Sequence, residues 1–184
     1  MIFLYIFLIL MVFLWPIFFA LVFVLDIIAQ FTTDAPFVPI PKGIDDKIIE
    51  SLKLKSESIL YDLGCGDGRV LISVTKKNPD IKAIGVEKAF VPYFLAKLNT
   101  RNFKNISILR EDIFKTDISK ATHIFMYLYP AVIKKLWPLI QKSCKAGTRI
   151  ISCDFQNEEM EPSEIIDIKS QNKSRGKKLF VYII

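Results

Sequence analysis

The residues whose types and spacing can do chemistry are concentrated between Asp62 and Glu87. An apolar run, Ile59 to Leu63, carries Asp62 and breaks into three glycines at alternate positions, Gly64, Gly66 and Gly68, with Cys65 and Asp67 between them. Glycine reaches positive φ and lets a ligand lie against bare backbone, so three in five residues at the end of a strand form a cradle for a small molecule. The pattern is G-x-G-x-G, not the G-x-G-x-x-G of dinucleotide folds, and the charge of Asp67 inside the loop opposes a phosphate. That disfavours an NAD-linked reductase and suits a ligand bearing an amino group. Glu87 closes a second apolar run, Ala83 to Val86, 25 positions after Asp62. In such folds an acid at that place receives the two hydroxyls of a ribose.

These residues need strands to hold them and helices to space the strands. The order is strand Ile59–Leu63, helix Arg69–Lys77 ended by Asn78-Pro79, strand Ala83–Glu87, helix Val91–Thr100, strand Ile106–Leu109, strand Thr122–Leu128, helix Ala131–Cys144 and strand Thr148–Phe155. A packing helix between Gly43 and Leu54 precedes them, with Ile44, Ile48, Ile49 and Leu52 on one face. Ile165 to Lys169 and Lys178 to Ile184 read as a closing pair of strands. This alternation predicts an α/β fold, a Rossmann-like, doubly wound, mostly parallel sheet with an antiparallel C-terminal strand, preceded by one N-terminal transmembrane helix. The strand ending at Tyr127-Leu128-Tyr129-Pro130 lies beside the first strand at the switch point where open α/β sheets bind ligands.

Composition divides the 184 residues into two regimes. Residues 1–25 have no charged side chain, while everything beyond residue 35 holds all 25 Lys and Arg against 17 of the 19 acids, a balance of +8. About 20 apolar residues at 1.5 Å rise span ~30 Å of hydrocarbon, so residues 1–25 are long enough to enter a lipid bilayer. A cleaved signal peptide would want a basic start and a small-x-small cleavage site, and neither is clear. Lys42, Lys47, Lys53 and Lys55 all follow the span, and the positive-inside rule then puts the domain on the cytoplasmic side of a single-pass protein. Prolines at 36, 39 and 41 hold residues 26–41 extended. The expected organisation is an anchor over 1–28, a proline-containing linker or cofactor lid over 29–42, and a catalytic domain over 43–184. Cys65, Cys144 and Cys153 have no metal-ligand spacing and fit a reducing compartment. His123 has no partner set for metal or a triad and reads as structural. Lys173, Arg175, Lys177 and Lys178 form a basic loop suited to a solvated hairpin or to anionic headgroups.

The loop Tyr61-Asp62-Leu63-Gly64-Cys65-Gly66-Asp67-Gly68-Arg69, the spaced Glu87, the span and the Pro36-Phe37-Val38-Pro39 lead-in together resemble the class I S-adenosylmethionine-dependent methyltransferases. The likeness is greatest to the small membrane-anchored protein lysine methyltransferases of mitochondria and their prokaryotic relatives. The resemblance implies S-adenosyl-L-methionine as cofactor. Asp62, Gly64, Cys65, Gly66, Asp67 and Gly68 would surround its methionine end, Glu87 its ribose, and Asp112 with the backbone of Ile113 its adenine. It also implies a protein substrate whose lysine amine enters near Tyr127 and Tyr129, the residues assigned to the reaction. No metal is implied. Two departures stand out: Cys65 replaces the usual small serine, and the segment after the fourth strand does not match the family residue by residue; it also lacks the Asn/Asp-Pro-Pro-Tyr of families that methylate bases or glutamine. Other readings are an RNA or small-molecule methyltransferase and a non-catalytic cofactor-binding membrane protein. For RNA, the basic residues are spread among acids and no aromatic-basic platform is evident.

Overall fold

The computed structural model describes residues 2–31, 40–41, 43–168 and 175–184, and the chain forms two compact units, Met1–Pro36 and Phe37–Ile184. The first unit is one helix, α1 (Ile2–Phe31), with Pro16 inside it. Its first 24 residues, Ile2–Leu25, have a mean hydropathy of 2.9. Among the described residues this is the one helix long and apolar enough to cross a membrane. The sequence pattern predicts residues 26–41 to be extended, but the helix runs on to Phe31. The next proline is Pro36, and a proline restricts only itself and the residue before it, so nothing between Asp26 and Phe31 stops the helix. Pro36 and Pro39, read as linker or lid, lie outside the described residues, as do Lys169 and Lys173 of the basic loop.

The second unit is a seven-stranded sheet. Its strands are β1 (Ile59–Leu63), β2 (Lys82–Val86), β3 (Ile106–Leu109), β4 (His123–Met126), β5 (Arg149–Cys153), β6 (Glu164–Asp167) and β7 (Lys178–Ile183), in the spatial order β3-β2-β1-β4-β5-β7-β6. Strands β1 to β5 are parallel, and β7 runs antiparallel between β5 and β6. The order reverses between β1 and β4, which opens a crevice beyond their carboxyl ends. Both faces of the central strands are covered, so β1, β4 and β5 are near-continuous apolar runs: Leu60, Leu63, Ile124, Met126, Ile150 and Ile151 are fully buried.

The helices α2 (Asp45–Leu52), α3 (Arg69–Lys77), α4 (Phe90–Thr100) and α5 (Pro130–Ser143) connect or cover the strands. Ile44, Ile48 and Leu52, spaced by four, seat α2 on the core, and Val70, Leu71 and Val74 seat α3. Pro130 opens α5 at a position where a missing amide costs nothing, and Trp137 of that helix meets the ring of Tyr182 edge-on at 4.9 Å. Ile40, just ahead of α2, is buried in the same core.

Two strands end earlier than their apolar patterns imply. The pattern carries the fourth to Leu128 and the fifth to Phe155, but β4 stops at Met126 and β5 at Cys153. Asp154 has φ +63°, a left-handed conformation that breaks the ladder and that Asp tolerates better than most residues. His123 is a structural histidine: its Nδ1 lies 2.8 Å from Thr122 Oγ1, and burial, then Arg149 and Lys55, push its pKa down to about 4. The three cysteines are buried and unpaired with one another.

Gly85 on β2 shows how tightly the loop after β1 is packed. A Cβ there would stand 2.7 Å from both Cys65 Sγ and Leu71 Cδ1 and 2.9 Å from Ile108 Cδ1. Gly85→Ala should therefore destabilise the full-length chain by about 1–3 kcal/mol in a thermal melt, the range for overpacking a filled core. Adding Cys65→Ala should recover part of that loss; additive losses would show that the thiol does not set the spacing.

Candidate active site

Strand register lines up the residues that sequence reasoning singled out. Leu63 is level with Val86 on one side and Met126 on the other, and Val86 with Leu109. Gly64, Glu87, Arg110 and Tyr127, each one residue further on, therefore emerge along one edge of the sheet. The amides of Gly64 and Cys65 both donate to Val86 O, at 2.9 and 3.0 Å, which pins the loop over the end of β2. Gly64, Gly66 and Gly68 all have positive φ, at +80°, +57° and +78°. Gly64 is solvent-exposed, and a Cβ on it would come within 2.9 Å of Leu128 Cδ2, so bare backbone is what keeps this edge open.

Glu87 turns towards the loop. Its Oε2 accepts the Gly66 amide at 3.1 Å and its Oε1 the Ala89 amide at 2.9 Å. Burial pushes its pKa up, against the pull of those amides. Each carboxylate oxygen keeps further acceptor capacity. Asp62 is 2% exposed, and its Oδ2 has no hydrogen-bond partner among the described residues. Burial first, then the charges of Glu87 and Asp67, push its carboxyl up to about 8. A buried orphan acceptor costs free energy unless something donates to it, so the floor of the crevice is built for a donor, above all a cationic one.

Other expected residues have different neighbours. Asp67 is held by Arg69, whose Nε lies 2.9 Å from Oδ1 and Nη2 2.7 Å from Oδ2. Burial raises the Asp67 pKa, but this pair outweighs it and leaves the carboxyl below its ordinary value. The guanidinium thus braces Asp67 within the loop, and a carboxylate oxygen held in this way keeps a further acceptor position. Nη1 of Arg69 also donates to Ile40 O at 3.4 Å. Cys65 turns its thiol into the core, and Gly68 is small because a Cβ would meet Thr100 Cγ2 at 3.1 Å. Asp112 is half-buried, with Oδ2 2.9 Å from Lys88 Nζ and Oδ1 accepting the Phe114 amide at 3.1 Å. Ile113 beside it is half-buried, and nearby the Arg110 guanidinium covers the Phe90 ring at 5.1 Å.

Past β4 the aromatic wall is a trio. Phe155, which the sequence pattern assigns to a strand, lies between the two tyrosines, 6.3 Å from the Tyr127 ring and 6.0 Å from the Tyr129 ring. Tyr129 is exposed and Tyr127 half-buried. Burial first, then the charge of Asp154, hold the Tyr127 pKa far above the ordinary tyrosine value. Tyr127 therefore stays protonated and offers its ring. Asp154 also accepts the amides of Gly176 and Lys177, both at 2.6 Å, joining the ends of β4, β5 and β7. Sequence reasoning missed Asp154 and Phe155; an Asp directly after an apolar run was the available signal.

An acceptor-lined floor, a second carboxylate over bare backbone and an aromatic wall at the switch point fit a ligand with an ammonium at one end and a diol further along. The arrangement defines a class I S-adenosylmethionine-dependent methyltransferase, and S-adenosylmethionine is the cofactor. Residues 62–164 match the ANTKMT methyltransferase domain, and the chain belongs to that family. It is 33% identical over 158 residues to a protein-lysine N-methyltransferase of Saccharolobus islandicus, covering 84% of this chain and 97% of the relative. A human lysine N-methyltransferase named for ATP synthase is 24% identical over 125 residues, 65% of this chain and 52% of that protein. Among solved structures, an RNA methyltransferase from Salinibacter ruber in complex with S-adenosyl-L-homocysteine superposes with a TM-score of 0.73 at 29% identity, covering 80% of this chain and 94% of that one.

Gly64→Ala tests the open edge. The left-handed φ costs an alanine about 1–2 kcal/mol, and the methyl group would fill the hollow. Affinity for S-adenosylhomocysteine, measured by calorimetry, should fall at least tenfold while the protein stays folded; unchanged affinity would place the cofactor elsewhere.

Proposed function

We propose that this methyltransferase transfers a methyl group to a lysine amine of a protein. The observation that carries the reading is likeness to a protein-lysine N-methyltransferase over nearly the whole length of that relative. In this reading Asp62 receives the ammonium of the cofactor, the backbone of Gly64 and Gly66 lies beneath its methionine end, Glu87 takes the ribose hydroxyls, and Asp112 and Ile113 meet the adenine. The bound cofactor supplies a methyl group already activated on a sulfonium, so the protein's tasks are alignment and exclusion of water. A free lysine has a pKa near ~10.4, and an apolar slot disfavours its charged form. The rings of Tyr127, Phe155 and Tyr129 supply such a slot. With its hydroxyl held protonated by burial and the Asp154 charge, Tyr127 has no role as a base, and the amine sheds its proton to water as it enters.

The organisation that accompanies this reading is α1 as a retained membrane anchor over 1–28, a linker or lid over 29–42 and the catalytic domain over 43–184 on the cytoplasmic side. The uncharged span and the basic residues beyond it support this. RNA is the second acceptor to weigh, on the likeness to the Salinibacter ruber enzyme.

Incubating the full-length protein with a membrane extract and radiolabelled methyl donor separates these readings. The expected product is a labelled band sensitive to protease and resistant to ribonuclease, with methyl-lysine found by mass spectrometry. Label lost to ribonuclease would replace lysine with RNA.

The raised Asp62 carboxyl gives a second prediction. Below about pH 8 it is protonated in the ligand-free protein, yet it pairs with an ammonium only as a carboxylate. Binding of S-adenosylhomocysteine at pH 7 should therefore release close to one proton, read by calorimetry in buffers of different ionisation enthalpy, and affinity should climb towards pH 8. The unfolded carboxyl ionises near ~4, so the unfolded chain binds fewer protons between there and about 8, and ligand-free stability should fall as pH rises through that window. Asp62→Asn should abolish both the proton release and that slope.

A further inference from the structure

A hollow of about 210 Å³ is lined by the first turn of α5 (Pro130, Ala131, Lys134) and the segment after β5 (Gln156, Asn157, Glu158), the residues that follow Tyr129 and Phe155 in the chain. Asn157 is 2% exposed, and its Nδ2 has no hydrogen-bond partner among the described residues. The orientation of that amide is fixed by its neighbours. Oδ1 accepts the Glu159 amide at 3.3 Å, and the backbone amide of Asn157 donates to the Tyr182 hydroxyl at 2.8 Å. The residue is thus anchored at two points and keeps one donor unused, one of three buried side-chain polar atoms without a partner among the described residues, with Asp62 Oδ2 and Trp137 Nε1. The amino-terminal turn of α5 adds a second element that favours an acceptor atom.

We propose that this hollow binds a residue flanking the target lysine, with Asn157 Nδ2 donating to a main-chain carbonyl of the substrate. The inference rests on the lysine reading above and deepens it by naming a specificity residue. Three features select this occupant. The volume is below the roughly 300–1,000 Å³ of sites for whole small molecules and suits one residue of an extended chain. Lys134 and Glu158, both exposed, carry opposite charges at its border, so it has no net sign to favour a free ion over a neutral amide. It also starts one residue past each of two aromatic positions, Pro130 after Tyr129 and Gln156 after Phe155. A chain whose lysine runs along the edge of those rings therefore lays its neighbouring residue here.

The test compares two acceptors with the full-length protein in detergent: a capped Ala-Ala-Lys-Ala-Ala peptide, which has flanking carbonyls, and butylamine, which has only the side-chain amine. Asn157→Asp keeps the acceptor that holds Glu159 and removes the donor. It should raise KM for the peptide at least tenfold, leaving kcat, butylamine transfer and affinity for S-adenosylhomocysteine as in the wild type. As a check independent of the variant's folding, the Asn157 side-chain amide resonance of wild-type protein bound to S-adenosylhomocysteine should shift on adding the peptide and stay put on adding butylamine. Equal losses on both acceptors, an unchanged peptide KM, or a motionless resonance would overturn the assignment while leaving lysine methylation in place. A wild-type protein that methylates neither amine would overturn the lysine reading and this inference together.

Discussion

One carboxylate, Glu87, holds the cofactor crevice in shape. Its two oxygens take the amides of Gly66 in the loop after β1 and Ala89 at the start of α4, so a single side chain past the end of β2 ties together the two segments that flank it. The three glycines of the loop have no side chains to fix its path, which Asp67, braced by Arg69, and Cys65, packed in the core, fix only between them. Its positive φ values are permitted by glycine but not imposed by it, so the loop depends on hydrogen bonds supplied from outside. Val86 O takes two of its amides and Glu87 a third. Residues at the end of the neighbouring strand thus position the backbone of the glycine loop.

Asp62, Glu87 and Asp67 bring three acids to this small region, and the fold treats each differently. Asp67 is neutralised by the two-point grip of Arg69, which reaches on to Ile40 and so joins the loop to the segment ahead of α2. Glu87 is compensated by backbone amides. Asp62 is left buried with an unused oxygen, the costliest arrangement of the three. A protein under selection for stability alone would fill that site with an apolar residue of similar volume. Its presence is intelligible if the missing partner arrives with the ligand.

Much of this is legible in the sequence because it is encoded locally. The alternation of apolar strand runs with amphipathic helices implies the parallel sheet, and the turn from Ile59–Leu63 into three alternate glycines marks the crevice. The part that stays hidden arises from contacts between residues far apart in the chain. Nothing near Arg69 declares that its guanidinium will also reach the carbonyl of Ile40, and nothing near Cys65 declares that its thiol will rest against Gly85. Asp154 is the clearest case. Its role depends on the amides of Gly176 and Lys177, brought beside it only when β7 inserts between β5 and β6. The helix through Asp26–Phe31 escapes for a different reason, since reading that stretch as extended carries the influence of the prolines beyond the residues they restrict.

The insertion of β7 also explains how the acceptor side of the crevice can be distinct from the cofactor side. In the proposed reading the cofactor-facing residues follow β1, β2 and β3, where all pairings are parallel and the glycine loop dictates shape. The opposite wall comes from the ends of β4 and β5, which are held by Asp154 to the amides that precede β7. Changing the length or sequence of the β6–β7 connection would therefore move Tyr127 and Phe155 without disturbing Asp62 or Glu87. An architecture with two separately anchored walls permits one to keep its chemistry while the other is refitted to a new acceptor. Relatives named for RNA and relatives named for lysine both match this chain over most of its length.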